Sequence, residues 1–140
     1  MIIISNMNAV HNAANPYQKL EHKRVLCLCS AGMLRSPTAA TILQQKYNYN
    51  TRAAGVHDYA LVPVSTALLE WAEEIVCVEQ AITDQLLFDF TSLEKQGFLH
   101  NLKLAGLKNI ITLDIPDVYA RMDYELQEII LQQYKEKLIV

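Results

Sequence analysis

Cysteine, glycine and proline are scarce in this chain: three, four and four among 140 residues. Cys27, Cys29 and Cys77 are too few, and odd in number, for a disulfide framework, so the sequence fits a reducing compartment. So little glycine and proline excludes collagen-like and low-complexity chains. No basic run is present and the formal net charge is −3, so the footprint of binding to duplex nucleic acid or an anionic membrane is missing. No apolar run approaches the roughly 20 residues of a membrane-spanning helix, and Met1-Ile2-Ile3-Ile4 is too short for a signal-peptide core. His11, His22, His57 and His100 are scattered without metal-ligand spacing. A Gly-Lys-Ser/Thr loop of the nucleotide-hydrolysing kind is also missing. These absences lead us to expect a cytoplasmic globular protein without metal or other cofactor, partnered by neither nucleic acid nor membrane.

What is present is an ordinary globular composition, 51% apolar and 19% charged. At this length one domain can hide roughly two-thirds of its unfolded surface. Residues 1–24 show no hydrophobic period; Asn6, Asn8, Asn12, Asn15 and Pro16 favour turns, with a helical tendency only around residues 9–14. They form an N-terminal extension without an assignable role, and residues 25–140 form the domain.

At Val25 the texture changes. Residues 25–29, VLCLC, are the short continuous apolar run expected of a buried parallel strand. Ser30, Ala31 and Gly32 end it, and Ser36-Pro37 supplies an N-cap followed by proline at the first helical position. Ala39, Ala40, Ile42, Leu43 and Tyr47 give the helix an apolar face. The pattern recurs: strands at 51–54, 75–78 and 109–113 alternate with helices that Ser65 caps, that follow Ala81, and that run over 123–138. Alternation of this kind predicts an α/β fold of three layers, an open four-stranded parallel sheet flanked by helices. Ligands in such sheets bind beyond the carboxyl ends of the strands, which is where Cys29 lies.

Residues 29–36, CSAGMLRS, can carry chemistry. Cys29 is followed six positions later by Arg35, and the intervening residues can curl so that backbone N–H groups point inward as an anion nest. Ser30, Ala31, Gly32, Met33, Leu34 and Ser36 would form that cup. Arg35 adds a planar fork that matches two phosphate oxygens. The same positive ends favour a Cys29 thiolate, and the Ser36 hydroxyl can donate to it. Cys27, two residues back in the strand, belongs in the core.

Val25 to Ala40 resembles the N-terminal signature of the low-molecular-weight protein tyrosine phosphatases, an apolar strand followed by Cys-x5-Arg-Ser-Pro and a small-residue helix. The resemblance extends in element order over residues 25–140 and implies a cysteine-dependent hydrolase with Cys29 as nucleophile and Arg35 as phosphate clamp. Residues 52–59, RAAGVHDY, look like the family's Ser-Ala-Gly strand end and the loop whose aromatic residue walls the cleft, which places Tyr59 there. Residues 115–119, IPDVY, are similar to the family's Asp-Pro-Tyr segment. That match implies Asp117 as general acid, with Asp114 as competitor, and Tyr119 as a second wall. Met33 would face the bound ester, where related phosphoarginine phosphatases carry Thr. The implied partners are a phosphotyrosine-containing protein as substrate and inorganic phosphate as product.

Four departures accompany the likeness, one of them a stretch between Tyr59 and Ser65 shorter than in typical members. Gly32 replaces the family's left-handed Asn, Leu34 replaces a second cysteine that could guard the first by a disulfide, and Val118 replaces the Pro after the acid. Two rival functions stand beside the hydrolase: arsenate reduction on the same fold, and a non-catalytic module that binds phosphate or phosphotyrosine.

Overall fold

The most apolar strand of the sequence lies in the middle of the sheet. In the computed structural model, which describes residues 2, 22–97 and 109–139, β1 (Arg24–Cys29) is buried at every position after Arg24. β2 (Asn50–Gly55) pairs with one side of it, and β3 (Glu74–Cys77) with the other, and β4 (Ile110–Thr112) forms the far edge. All three pairings are parallel, with Cys29 opposite Gly55 and Leu28 opposite Cys77. A strand buried on both faces has no solvent side on which to alternate, which explains the unbroken run VLCLC.

Helices α1 (Arg35–Tyr47), α2 (Thr66–Trp71), α3 (Gln80–Lys95) and α4 (Tyr124–Ile139) fill the connections. The order β2-β1-β3-β4 sends the chain first to one side of β1 and then to the other. Right-handed crossovers in opposite directions place α1 and α3 on opposite faces. The reversal opens a crevice at the carboxyl ends of β1 and β3, the switch point where such sheets hold ligands.

Local signals account for most element ends. Ser65 accepts the Leu68 N–H at 3.1 Å and caps α2; Asp123 accepts from Glu125 at 2.9 Å and Leu126 at 3.3 Å and caps α4. The start of α1 corrects the expectation. The helix begins at Arg35 after Leu34, with no side-chain cap, because the Ser36 hydroxyl is engaged elsewhere. Pro37 still falls in the first turn, where helical N–H groups have no partner to lose. The expected strand 109–113 is shorter, spanning Ile110–Thr112.

The core gathers both sides of β1 with Leu43, Leu69, Leu86, Phe90, Ile115, Leu126 and Ile130. Ile2 is buried in the same cluster, whereas the helical tendency expected around residues 9–14 lies outside the described residues. At the amino ends of the strands Tyr47, Tyr49 and Tyr134 pack ring to ring. No helix among the described residues is long and apolar enough to cross a membrane.

Candidate active site

β1 delivers Cys29 to the crevice and α1 begins six residues later, so residues 30–34 must turn back sharply. The first carbonyl groups of this turn face the neighbouring loop. The carbonyl oxygens of Cys29, Ser30 and Ala31 accept from the N–H groups of Val56 (3.0 Å), His57 (3.0 Å) and Leu61 (3.1 Å) in the loop after β2. Because a trans peptide sets its N–H opposite its C=O, the next three N–H groups face the cup. The third does so visibly: Gly32 N–H donates to Cys29 Sγ at 3.1 Å.

Gly32 has a φ of 71°, the left-handed region that glycine enters without strain. A Cβ there would lie 3.0 Å from both Ala54 C and Gly55 N, so space as well as conformation restricts the position. Gly55 is tighter, since its added Cβ would come within 2.6 Å of Ala31 C and Ser30 O. The cup can approach β2 this closely only because both contacts lack side chains.

The Ser36 hydroxyl sits 3.0 Å from Cys29 Sγ and 3.3 Å from the Ala54 carbonyl oxygen. That engagement is why it does not cap α1. Cys29 thus ends a strand with two polar groups on its sulfur. The other cysteines differ. Burial pushes the Cys27 thiol pKa far above its usual value, with Glu74 adding to the effect. Burial likewise raises Cys77 to about 11, against a smaller opposing hydrogen bond from Thr83.

Arg35 is almost fully buried, and its guanidinium is held at one corner. Nη1 donates to the Ile115 carbonyl at 2.8 Å and to Glu79 Oε1 at 3.0 Å. Nε lies 3.5 Å from Asp117 Oδ1, and Asp117 itself is 56% exposed. Gly32 and Ser36 thus meet at the Cys29 sulfur, and Arg35, next to Ser36 in the chain, gathers Glu79, Ile115 and Asp117. Asp114 does not join them: Gln133 clamps its backbone, accepting its N–H at 2.7 Å and donating to its carbonyl at 3.0 Å. A strut fixes the far end of this loop, where Thr38 Oγ1 donates to the Leu34 carbonyl at 2.8 Å and accepts the Met122 N–H at 2.9 Å.

The three residues expected to wall a substrate pocket sit on the loops around the cup. Met33 and Tyr59 are exposed, and the Tyr59 ring stacks on His57 with centroids 5.0 Å apart. Tyr119 is partly buried against the core, and desolvation with the nearby carboxylates of Glu125 and Asp123 raises its phenol pKa. Leu34 is exposed beside Met33. Glu79 was missed by sequence reasoning. Its available signal was position, as the first charged residue after β3 at the switch point. Among the described residues no group of three or more His, Cys, Asp or Glu could hold a metal ion. An open cleft lined by Thr112, Asp114, Gln133 and Lys137 lies apart from Cys29 and Arg35.

The architecture is that of the low-molecular-weight protein tyrosine phosphatases. The tyrosine phosphatase Wzb from Escherichia coli K30 superimposes with a TM-score of 0.57 at 15% identity, over 83% of this chain and 96% of that one. The low-molecular-weight protein tyrosine phosphatase of T. tengcongensis gives 0.57 at 16% identity, over 84% and 97%. The YwlE arginine phosphatase of Geobacillus stearothermophilus gives 0.53 at 17% identity, over 83% and 92%. No family model and no curated protein sequence matches the chain.

Proposed function

We propose that this chain is a cytoplasmic phosphomonoester hydrolase that works through a phosphocysteine intermediate, and that its substrate is phosphotyrosine in proteins. The observation that carries the proposal is the Cys29 sulfur, set between the Ser36 hydroxyl and the Gly32 N–H at the end of a strand whose following helix opens on a buried arginine. The Cys77 thiol, by contrast, is buried with a raised pKa and, among the described residues, has only the Thr83 side chain as a hydrogen-bond partner. In the first step Cys29 Sγ attacks phosphorus, the bond to the ester oxygen breaks, and Asp117 gives that oxygen its proton. In the second step Asp117 takes a proton from water, which attacks phosphorus and releases inorganic phosphate and the Cys29 thiolate. The inward N–H groups of Ser30, Ala31 and their neighbours, with Arg35, stabilise the equatorial oxygens in both steps.

Two fold neighbours are described in complex with phosphate and with benzylphosphonate. The neighbours include both tyrosine and arginine phosphatases, so the fold does not choose between these substrates. Met33, Tyr59 and Tyr119 support the aryl ester, because large apolar and aromatic side chains suit a flat ring. An arsenate reductase that relays through its own thiols needs a second reactive cysteine; Cys27 and Cys77 are buried with raised pKa values, which counts against that internal relay, and an arsenate assay with glutathione or thioredoxin tests the assisted one.

The test is turnover of p-nitrophenyl phosphate without added metal, inhibition by vanadate, and the Cys29→Ser variant. The wild type should hydrolyse the ester and the variant should lose about 10⁴-fold or more in rate, as when a nucleophile is removed. Equal rates in the two would refute the assignment. Phosphate binding by the wild type without any turnover would show a binding module instead. Phosphotyrosine and phosphoarginine peptides compared side by side decide the substrate class.

A further inference from the structure

We infer that Glu79 is a positioning residue for the phosphate clamp, fixing which edge of the Arg35 guanidinium faces the cup; the inference rests on the phosphatase proposal. A guanidinium offers five N–H groups in a rigid plane, two of them on Nη1. Both find acceptors away from the cup, the Ile115 carbonyl at 2.8 Å and Glu79 Oε1 at 3.0 Å. Nε and Nη2 are left as the edge that can meet two phosphate oxygens side by side. Nη2 has no hydrogen-bond partner among the described residues, and the Asp117 carboxylate stands 3.5 Å from Nε.

Glu79 is itself anchored. It follows β3 in extended backbone and is the N-cap residue of α3, its carbonyl accepting from Ile82 at 3.1 Å and Thr83 at 3.3 Å. Its side chain is 35% exposed, against 2% for Arg35, so it lies at the mouth of the site and reaches inward. Glu79 therefore joins the two strands at the switch point, carrying Arg35 from the β1 side on a carboxylate from the β3 side. Without it the Ile115 carbonyl alone would hold Nη1, and the plane could rotate about that single bond.

The prediction separates positioning from charge. Glu79→Ala should weaken inhibition by inorganic phosphate and by vanadate about 10- to 100-fold, as expected when a hydrogen bond to a charged group is lost. Glu79→Gln keeps an oxygen that can accept from Nη1 and should recover most of that affinity. The rate loss in Glu79→Ala should be equal for aryl and alkyl phosphates, because the acid is untouched. Wild-type affinity in Glu79→Ala, or tighter phosphate binding in both variants, would overturn the inference and identify Glu79 as a mere counter-charge. A steeper loss on alkyl phosphates would also overturn it by placing Glu79 in proton transfer. Circular dichroism melting of both variants controls for folding. Absence of phosphate binding and turnover in the wild type would instead refute the phosphatase proposal.

Discussion

The two ends of the parallel sheet each bury a charged side chain, and they treat it in opposite ways. At the amino ends, Glu74 receives Lys23 Nζ at 2.9 Å on one oxygen and the Tyr134 hydroxyl at 2.7 Å on the other. The rings of Tyr47, Tyr49 and Tyr134 close over it, with Tyr134 also bonded to Tyr49 at 3.2 Å. At the carboxyl ends, Arg35 is fixed at Nη1, and its other edge faces the exposed Asp117 carboxylate 3.5 Å from Nε. A buried charge with both oxygens held by fixed partners ties a fold together, whereas one fixed at a single corner beside an exposed carboxylate is prepared for a ligand. The amino end is thus a structural lock and the carboxyl end a receptor.

That contrast breaks most easily at the acid. Asp117→Ala should slow alkyl phosphates by about 10²- to 10⁴-fold, the usual worth of a general acid, and aryl phosphates with good leaving groups much less. Asp114→Ala should do neither, since Gln133 clamps the Asp114 backbone and the carboxylate beside Arg35 is that of Asp117. The leaving-group dependence of kcat/KM checks both, and the opposite result would move the acid to Asp114. Gly55→Ala should come next. Its Cβ would press on Ser30 and Ala31, so the cup must shift, with a loss of about 1–3 kcal/mol in stability from overpacking and a fall in kcat/KM. Unchanged kinetics would show that the cup tolerates displacement from β2.

The lock should respond in the reverse manner. Tyr134→Phe removes the hydroxyl that Glu74 and Tyr49 share. Urea denaturation should show a loss of about 1–3 kcal/mol, the cost of stranding a buried polar partner, with kcat and KM unchanged. A kinetic effect would mean that the two ends are coupled through the sheet, and the comparison would fail.

The sequence showed unequal parts of these ends. Three strands were legible as short apolar runs bounded by small or polar residues and the second, 51–54, by the Gly55 that closes it, and the cup was legible because Cys29 and Arg35 are only six positions apart. Partners distant in sequence were not. Arg35 meets Glu79 across 44 positions and Ile115 across 80, and no local period connects them. Tyr134 reads as one more apolar residue on a helix face, yet its hydroxyl bonds Glu74 sixty positions away. Ser36 meets the Cys29 sulfur as expected, but its second expected role, capping the helix, fails for a related reason. Next to a Pro it has the form of an N-cap, but a hydroxyl can serve one geometry at a time, and the Cys29 sulfur claims it.

The smallest expected effect concerns pH and a cysteine that does no chemistry. Burial holds the Cys77 thiol at about 11, against 9.0 for the free group. Below pH 9 the thiol is protonated in the folded and unfolded states alike, so it leaves stability unchanged. Between 9 and 11 the unfolded chain releases the proton and the folded one keeps it, so the unfolded state binds fewer protons and stability falls as pH rises. Two pH units correspond to at most about 2.7 kcal/mol. Cys27 shifts in the same direction and further, so it adds to the alkaline loss in wild type and variant alike. Urea midpoints of wild type and Cys77→Ser at pH 8 and pH 10.5 isolate the Cys77 share, because serine does not titrate in this range. The variant should lose less stability between the two pH values. Parallel losses would show that water reaches the Cys77 sulfur, and that the carboxyl end of β3 is open as well as that of β1.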